Sequence, residues 1–384
     1  MKNNRLNTLR AYAYTLIKKI PYQRIKDSPT LKYYTNWKSY ENYKIVRGEA
    51  PSIEVTDKVK HADIVISGKK VSVKKIRGII VRSIDSEPLI LPNESKIHAI
   101  HFASLLNAVE IVITEEYSNT MPLKIIIENA INDDIFESNH IRIVVEKKVN
   151  LDLILIERSA SRQSSYNSGI ELLVKEKASV RILHISRLYP KTPAFSHLRI
   201  FAYNNSKVEI SSIIQGGLME RNQFDLILKE NNINANFVLA VIGKDKEIID
   251  VVVDNNVHGA NNHLNFRAIA LAKDQSQISI RPTGRIGSKS VNAYVDISAH
   301  MYNIGSSSKA IAVPILEINT NKIQTAKHAI TITNISDDTL FYISTRGLSK
   351  SDIEYLLSQE LYEEIINNLP EGMKNAINII RQSF

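Results

Sequence analysis

The chain has 384 residues, of which 43% are hydrophobic and 23% are charged, with a formal net charge of +9 and no cysteine. This composition excludes a disordered chain, and the lack of cysteine excludes disulfides, thiolate zinc sites and cysteine-ligated iron–sulfur clusters built from this chain alone. No run approaches the roughly 18 uninterrupted apolar residues that span a bilayer, and the N-terminus lacks the apolar core of a secretory signal, so we expect a cytoplasmic protein without a membrane partner.

The first 95 residues predict a helical and mixed region. Apolar residues recur at helical spacing over residues 4–20, and Pro21 ends the pattern. A tyrosine-rich segment follows at 33–43. Its aromatic side chains suit either a stacking platform for bases or, as we prefer, the anchoring of a small subdomain or partner surface. The basic residues are spread through the chain, so a nucleic-acid partner is not predicted.

Residues 96–335 predict a β-rich core. Short alternating runs rich in isoleucine and valine return throughout this region. Several runs share a polar turn, a β-branched residue and an alternating tail, and Val149, Val180 and Val208 begin three of them. Such recurrence favours a stacked β-solenoid over the alternative of a β-sandwich.

Residues 336–384 predict a C-terminal helical region. Ser349 and Asp352 have the spacing of a capping box, and an apolar stripe follows at helical spacing. Pro370 and Gly372 then separate a last helix. We interpret these helices as a docking module, with capping of the solenoid end as the alternative. The candidate partner-binding residues are Ser349, Ile353, Leu356, Leu357 and Leu361.

The common catalytic signatures are absent from the sequence. The run 284–289 reads GRIGSK and lacks the spacing of a phosphate-binding loop. Histidine is the strongest nitrogen metal ligand available. His98 and His101 are three residues apart, the spacing of a possible helical metal-binding pair, but they lie where we expect the start of a strand, so metal binding there is not favoured. We interpret His258 and His263, in a loop-like run, as structural or surface histidines.

The run 313–357 resembles the C-terminal signature of the SufB/SufD family of the SUF iron–sulfur cluster assembly system. Pro314 and Glu317 match its Pro-x-Leu-Glu-Ile element, His328 matches its histidine, and Arg346 and Gly347 match its closing Ser-Arg-Gly. Further matches are Leu316, Ile318, Asp337, Leu340, Phe341 and Tyr342.

This resemblance implies a right-handed parallel β-helix flanked by helical segments. It also implies a partnership with a SufB-like subunit, or a homodimer, and docking of a SufC-type ATPase by the C-terminal helices. The residues before His328 include no cysteine where many members have one, and Ala329 replaces the usual glycine. The missing thiolate points to a SufD-like member.

The resemblance further implies a role for His328 as an interface ligand, opposite thiolates of the partner, with Glu317 orienting it. No intrinsic cofactor is expected, although an iron ion or cluster would rest transiently at the interface. An adaptor that stimulates the ATPase without touching metal is the first alternative. A carbohydrate-cleaving enzyme on the same fold is the second, and it would need convergent acidic residues. Adjacent acidic pairs outside the helical tail include Asp133–Asp134 and Asp337–Asp338, both in turn-like contexts.

Overall fold

The computed structural model describes residues 3–22, 35, 40–46, 52–56, 59, 61–118, 120–189 and 191–381. Within these residues it contains five helices. They are α1 (Asn3–Lys19), α2 (Lys96–Ala103), α3 (Asp337–Ser344), α4 (Lys350–Ile366) and α5 (Glu371–Arg381). None of these described helices is long and apolar enough to cross a membrane.

The strands alternate between two sheets. One sheet holds, in spatial order, β1 (Ser52–Val55), β3 (Lys70–Val73), β2 (Ile64–Ser67), β6 (Leu123–Asn129), β8 (Asn150–Ser159), β10 (Ser179–Leu188), β12 (Lys207–Gly216), β14 (Asn234–Gly243), β16 (His263–Ala272), β18 (Tyr294–Ile304) and β21 (Thr325–Ile335). The other holds β19 (Lys309–Ala312), β17 (Gln277–Ile286), β15 (Ile248–Val257), β13 (Met219–Leu228), β11 (Pro193–Ala202), β9 (Ser165–Val174), β7 (Phe136–Val145), β5 (Leu105–Ile113) and β4 (Ile79–Ser83), and β20 (Ile315–Ile318) also pairs with β17.

The two sheets form a parallel β-solenoid of about 8 turns, as the recurring runs predict. Alignment of the recurring runs on Val149, Val180 and Val208 matches the strand register at one step and not at the other. Val180 pairs with Val208, as expected, but the partner of Val180 in the preceding rung is Leu151 and not Val149. A shift by two residues keeps a side chain on the same face of a strand, so alternation alone does not detect it.

One corner of the solenoid is built from stacked asparagines. Asn205, Asn232, Asn261 and Asn292 all have positive φ, between 54° and 58°. The side-chain amide of each of the last three donates to the side-chain oxygen of the one before, at 3.1–3.2 Å. Asparagine tolerates the left-handed conformation, so these residues turn the chain at the same place in four successive rungs.

The core lies inside the solenoid, between the sheets. Inward-facing positions of each strand carry isoleucine, valine, leucine and phenylalanine, and all are nearly fully buried in the central rungs. The interior also contains polar groups. Glu157 accepts hydrogen bonds from Tyr166 at Oε1 and from Ser196 at Oε2, and His184 Nε2 lies 3.1 Å from Oε2.

A helical layer covers the outside of the second sheet. Helix α1 ends at Lys19, close to the predicted boundary, and packs on α2 through Ala13 and Phe102. Tyr40 is buried, donates to the carbonyl oxygen of Ala194 at 2.5 Å and stacks on Phe136. Tyr40 therefore anchors the chain, whereas Tyr33, Tyr34 and Trp37 lie outside the described residues.

Helix α2 corrects the interpretation of His98 and His101. Both lie on this helix and both are buried, although we expected the start of a strand. The seven residues from Ile97 to Ala103 are all buried. A helix buried on every side has no polar face, so its sequence shows no amphipathic period.

The C-terminal helices cover the side of the solenoid rather than its end. Leu361, Tyr362 and Ile365 of α4, with Met373 and Ile377 of α5, pack on outward-facing apolar residues of β8 to β18. The idea that these helices cap the end of the solenoid is therefore wrong. The boundaries predicted at residues 95 and 335 stay predictions, although β21 ends at Ile335 and α3 begins at Asp337.

Candidate functional site

The last rung of the solenoid presents two strand edges. Strand β21 pairs with β18 on one side and is the last member of its sheet. Strands β19 and β20 pair with β17 and end the other sheet. A strand at the edge of a sheet offers unpaired backbone donors and acceptors, and a long edge of this kind is a template for another chain. With 11 residues, β21 is such an edge.

His328 lies at the end of an interior column of side chains. Its register partner is Ile297, and successive pairings extend the column to the first of the ten-residue strands in this sheet. The buried members of the column are Leu153, Ile182, Ile210, Phe237, Phe266 and Ile297. At the last rung an imidazole replaces the apolar side chain. It is exposed, because no further rung within the described ranges covers it.

Neighbouring inward positions of the last rung are apolar and incompletely covered. Ile330 and Ala326 pack against the interior core. Ile332 pairs with the buried Met301 and yet is 42% exposed. Ile318 of β20 pairs with the buried Ile286 and is also 42% exposed. The open end thus combines an imidazole with apolar side chains that the rest of the solenoid buries.

Glu317 lies on the other sheet and on its outward face. Its strand neighbour Leu316 faces inward, where its side chain approaches Gly284. Glu317 itself accepts from Arg285 at 3.1 Å, and Arg285 also donates to Asp254. The ion pair between Glu317 and Arg285 gives Glu317 a structural role that does not involve orienting His328. No hydrogen bond or ion pair involves His328 among the described residues, so its assistance by Glu317 stays a prediction.

The motif residues that follow form a helical turn on the surface. Ser336 caps α3 and accepts from Thr339 N–H at 3.1 Å. Gly347 has a φ of 92°, which favours glycine, just after the end of α3. Arg346 lies over the ring of Tyr342. Phe341 and Tyr342 are 73% and 57% exposed, which is unusual for large aromatic side chains.

Helix α4 begins as predicted and divides the candidate partner-binding residues. Ser349 and Asp352 form the reciprocal capping box. Ile353 and Leu361 are buried inside the chain, and Leu357 packs at the edge of the same cluster. Leu356 is 56% exposed. Of the predicted set, Leu356 is thus the member whose side chain is available to a partner, whereas the exposed Ser349 hydroxyl is engaged in the capping box.

A cluster of buried histidines was missed by sequence reasoning. His98 Nε2 lies 2.8 Å from His197 Nδ1, and His101 Nε2 lies 3.3 Å from His140 Nδ1. The partners are 99 and 39 residues away in the chain. Gly169 leaves the space, because a Cβ there would lie 2.7 Å from His140.

Comparison with known proteins supports the assignment that the solenoid and its last rung suggest. The family model described as "SUF system FeS cluster assembly, SufBD core domain" matches residues 127–360, which is more than half of the chain. The chain belongs to the SufB/SufD family. The match includes the ten-residue strands from β8 onward, the last rung and α3, and it ends within α4.

Several curated relatives are named iron–sulfur cluster assembly protein SufD. The chain is 21% identical to the one from Plasmodium falciparum over 242 residues, which is 62% of this chain and 16% of that protein. It is 22% identical to the one from Bacillus subtilis over 296 residues, 74% of this chain and 66% of that protein. A SufBD family protein, ycf24 of Pyropia yezoensis, is 22% identical over 167 residues, 44% of this chain and 34% of that protein.

The chain thus spans only 16% and 19% of the length of the first two relatives, the SufD proteins of Plasmodium falciparum and Plasmodium berghei. Membership of the SufB/SufD family and similarity to its SufD members are confirmed. The predicted site residues are consistent with this membership but are not tested by it.

Proposed function

We propose that this chain is a SufD-like, non-catalytic component of a SUF iron–sulfur cluster assembly complex. It pairs through the last rung of its solenoid with a SufB-like subunit, or with a second copy, and docks a SufC-type ATPase through its C-terminal helices. The iron or cluster is the cargo of this complex and rests at the subunit interface.

The observation that carries the pairing proposal is the open last rung. The interior column ends in His328, and inward-facing apolar residues beside it are partly exposed. A partner that stacks on β21 continues the sheet and removes this apolar surface from water, which contributes about 25 cal/mol for each Å² buried. A neutral imidazole suits a mixed site with thiolate sulfur supplied by the partner.

The ATPase-docking proposal is supported by a second surface. The exposed side chains of α3, its connection and the start of α4 include five large apolar or aromatic ones. They are Phe341, Tyr342, Leu348, Tyr355 and Leu356. Aromatic residues at interfaces contribute a large share of binding energy. The other side of α4 is already occupied by the solenoid, which fixes the direction in which this surface faces.

Co-expression tests the assembly. We expect a complex that contains this chain, a SufB-like subunit and a SufC-type ATPase when all three are expressed and the mass is measured by light scattering. Leu356→Asp should remove the ATPase from the complex and leave the pairing intact. Leu218→Asp, at an exposed leucine in the turn between β12 and β13, is the matched control. A chain that stays alone with both partners present would contradict the proposal.

His328→Ala separates the metal-handling role from that of a simple adaptor. The imidazole is exposed and holds no other side chain in place, so the variant should fold and assemble normally. We expect the assembled complex to form fewer clusters, measured by visible absorption and acid-labile sulfide. His263→Ala, at another exposed histidine, is the control. Equal cluster yield in the two variants would favour the adaptor that does not touch metal.

The non-catalytic assignment is supported by the positions of the acidic pairs. Asp133 and Asp134 lie in the turn before β7, and Asp337 and Asp338 begin α3. One acidic pair thus lies in a turn, and the other lies at the start of a helix. Cleavage of a polyuronate by the purified chain would contradict this part of the proposal.

A further inference from the structure

A second group of potential ligands lies far along the solenoid from the last rung. Glu94, His98 and His197 each offer one ligand atom, and the three atoms lie within 4.8 Å of one another. Glu94 and Ser95 precede α2, His98 lies in its first turn, and His197 lies on β11 beneath it. The group therefore joins the helical layer to the outer face of the sheet.

Each of the two imidazoles has one ring nitrogen in contact with a neighbouring polar side chain, Asp225 for His197 and Ser95 for His98. The second ring nitrogens of the two imidazoles face each other. His197 Nε2 lies 2.8 Å from Asp225, whose carboxylate accepts, so the Nδ1 of neutral His197 carries a lone pair. His98 Nδ1 lies 2.7 Å from Ser95 Oγ, and His98 Nε2 faces His197 Nδ1 at 2.8 Å. Metal-binding histidines commonly have such an outer partner, often a carboxylate.

We propose that Glu94, His98 and His197 form a binding site for a divalent transition-metal cation such as Zn²⁺ or Fe²⁺. His98 Nε2, His197 Nδ1 and Glu94 Oε2 would be the ligands, and Asp225 and Ser95 would position the imidazoles. Two imidazoles and one carboxylate are the ligand set of many open sites for these metals. The site is independent of the role proposed for His328.

The protons balance without an additional acid or base. In the metal-free arrangement His98 donates from Nε2 to His197, and its Nδ1 accepts from the Ser95 hydroxyl. When the metal binds, the proton of His98 moves to Nδ1, which then donates to Ser95 Oγ. Both imidazoles ligate the metal in the neutral form, which is the form that binds metal.

The local charges and space are compatible with a cation. Arg199 pairs with Glu94 and Asp225, so these three side chains together carry a net negative charge. The three other arginines that line the adjoining cavity pair with Asp250 and Asp254. Glu94 Oε2 lies 3.9 Å from His98 Nε2 and must turn from Arg199 to share the metal. A cavity of about 410 Å³ adjoins Glu94 and His98 and provides room for a water ligand.

The test is a titration of the purified, tag-free chain, first treated with a chelator, with Co²⁺ and then Zn²⁺. We expect one equivalent of Co²⁺ to give the visible absorption of a low-symmetry site and to be displaced by Zn²⁺. His98→Gln and His197→Gln should each weaken Zn²⁺ binding at least about tenfold, and Asp225→Asn about 10–100-fold. His263→Ala is the matched control and should bind like the native chain. Circular dichroism confirms that each variant is folded.

X-ray absorption of the zinc-loaded native chain gives a result that does not depend on the variants. The proposal requires two imidazole ligands in the first coordination sphere. A first coordination sphere of Zn²⁺ without imidazole would overturn the proposal. Zn²⁺ affinity that is equal in the native chain and in the two glutamine variants, or absent from the native chain, would also overturn it and leave the cluster as a hydrogen-bonded contact between α2 and the sheet.

Discussion

The middle and the end of the solenoid have the same strand pattern but different surroundings. In the middle, Phe237 occupies the interior column and is 1% exposed, between aromatic neighbours at 5.1 and 5.2 Å. Six of the seven column positions are apolar and covered, whereas the seventh, His328, is polar and exposed. The difference shows that the sequence pattern of a rung predicts a strand, whereas the solvent exposure of its side chains depends on whether another rung stacks on it.

The largest effect is expected in the covered part of the column. Phe237→Ala should reduce the free energy of unfolding by about 3–5 kcal/mol, because it leaves a cavity between two other phenylalanines. His328→Ala at the end of the same column should change it by less than about 0.5 kcal/mol. Urea denaturation followed by circular dichroism measures both. Equal losses would contradict the distinction between a covered and an open rung.

A similar contrast divides helix α4. Leu361 is fully buried against the sheet, so Leu361→Ala should cost about 2–5 kcal/mol of stability. Leu356→Ala, on the exposed face of the same helix, should lie within about 0.5 kcal/mol of the native chain. Thermal melting of the two variants tests this directly. A larger loss at Leu356 than at Leu361 would mean that α4 packs by its other face.

Buried carboxyl groups should make the covered rungs sensitive to pH. Burial, with the nearby charges of Glu157 and Glu247, raises the pKa of Glu220 from its ordinary 4.5 to about 8. Folding therefore favours the protonated form, and its stabilising contribution is present at low pH and is lost as the pH rises from 4.5 to 8. The steepest loss is about 1.4 kcal/mol per pH unit.

Glu220→Gln should flatten this pH dependence when unfolding free energies are measured between pH 5 and pH 8.5. Burial also raises the pKa of Glu247, to about 7, so a smaller slope of the same sign should persist in that variant. Glu176→Gln, at an exposed carboxylate, should keep the native slope. An unchanged slope in Glu220→Gln would show that Glu220 is ionised in the folded chain.

Among the changes expected to destabilise the chain, the smallest loss is expected at the asparagine corner. Asn232→Ala removes two side-chain hydrogen bonds of the ladder and places alanine at a φ of 57°. The left-handed conformation costs alanine about 1–2 kcal/mol. Asn232→Gly should recover most of the backbone part of this loss. Equal melting temperatures for the alanine and glycine variants would assign the whole effect to the hydrogen bonds.

Much of the fold could be predicted from the sequence because it repeats. The polar turn and alternating tail predict the solenoid, and the Ser349–Asp352 spacing predicts the start of α4, since both signals are local. Helix α2 was missed because it is buried on every side and shows no period. The shift from Val149 to Leu151 was missed because it preserves the inward face.

The candidate sites were predicted only where the family signature names them. His328 is recognisable from the motif, but its place at the end of an interior column requires the register of all preceding rungs. The pairing of His98 with His197 joins residues 99 positions apart, and no local pattern indicates it. The packing of α4 on the side of the solenoid could not be predicted either, because an apolar stripe on a helix is equally compatible with capping the solenoid end.

The most direct test of the account is the pairing of the last rung. Ile332→Glu places a charge among the partly exposed apolar residues beside His328, and light scattering of the chain with a SufB-like subunit measures the mass of the pair. We predict loss of the pair with the native fold retained, whereas Leu218→Asp should leave the pair intact. A pair of unchanged mass and affinity in Ile332→Glu would contradict the claim that the open rung is the subunit interface.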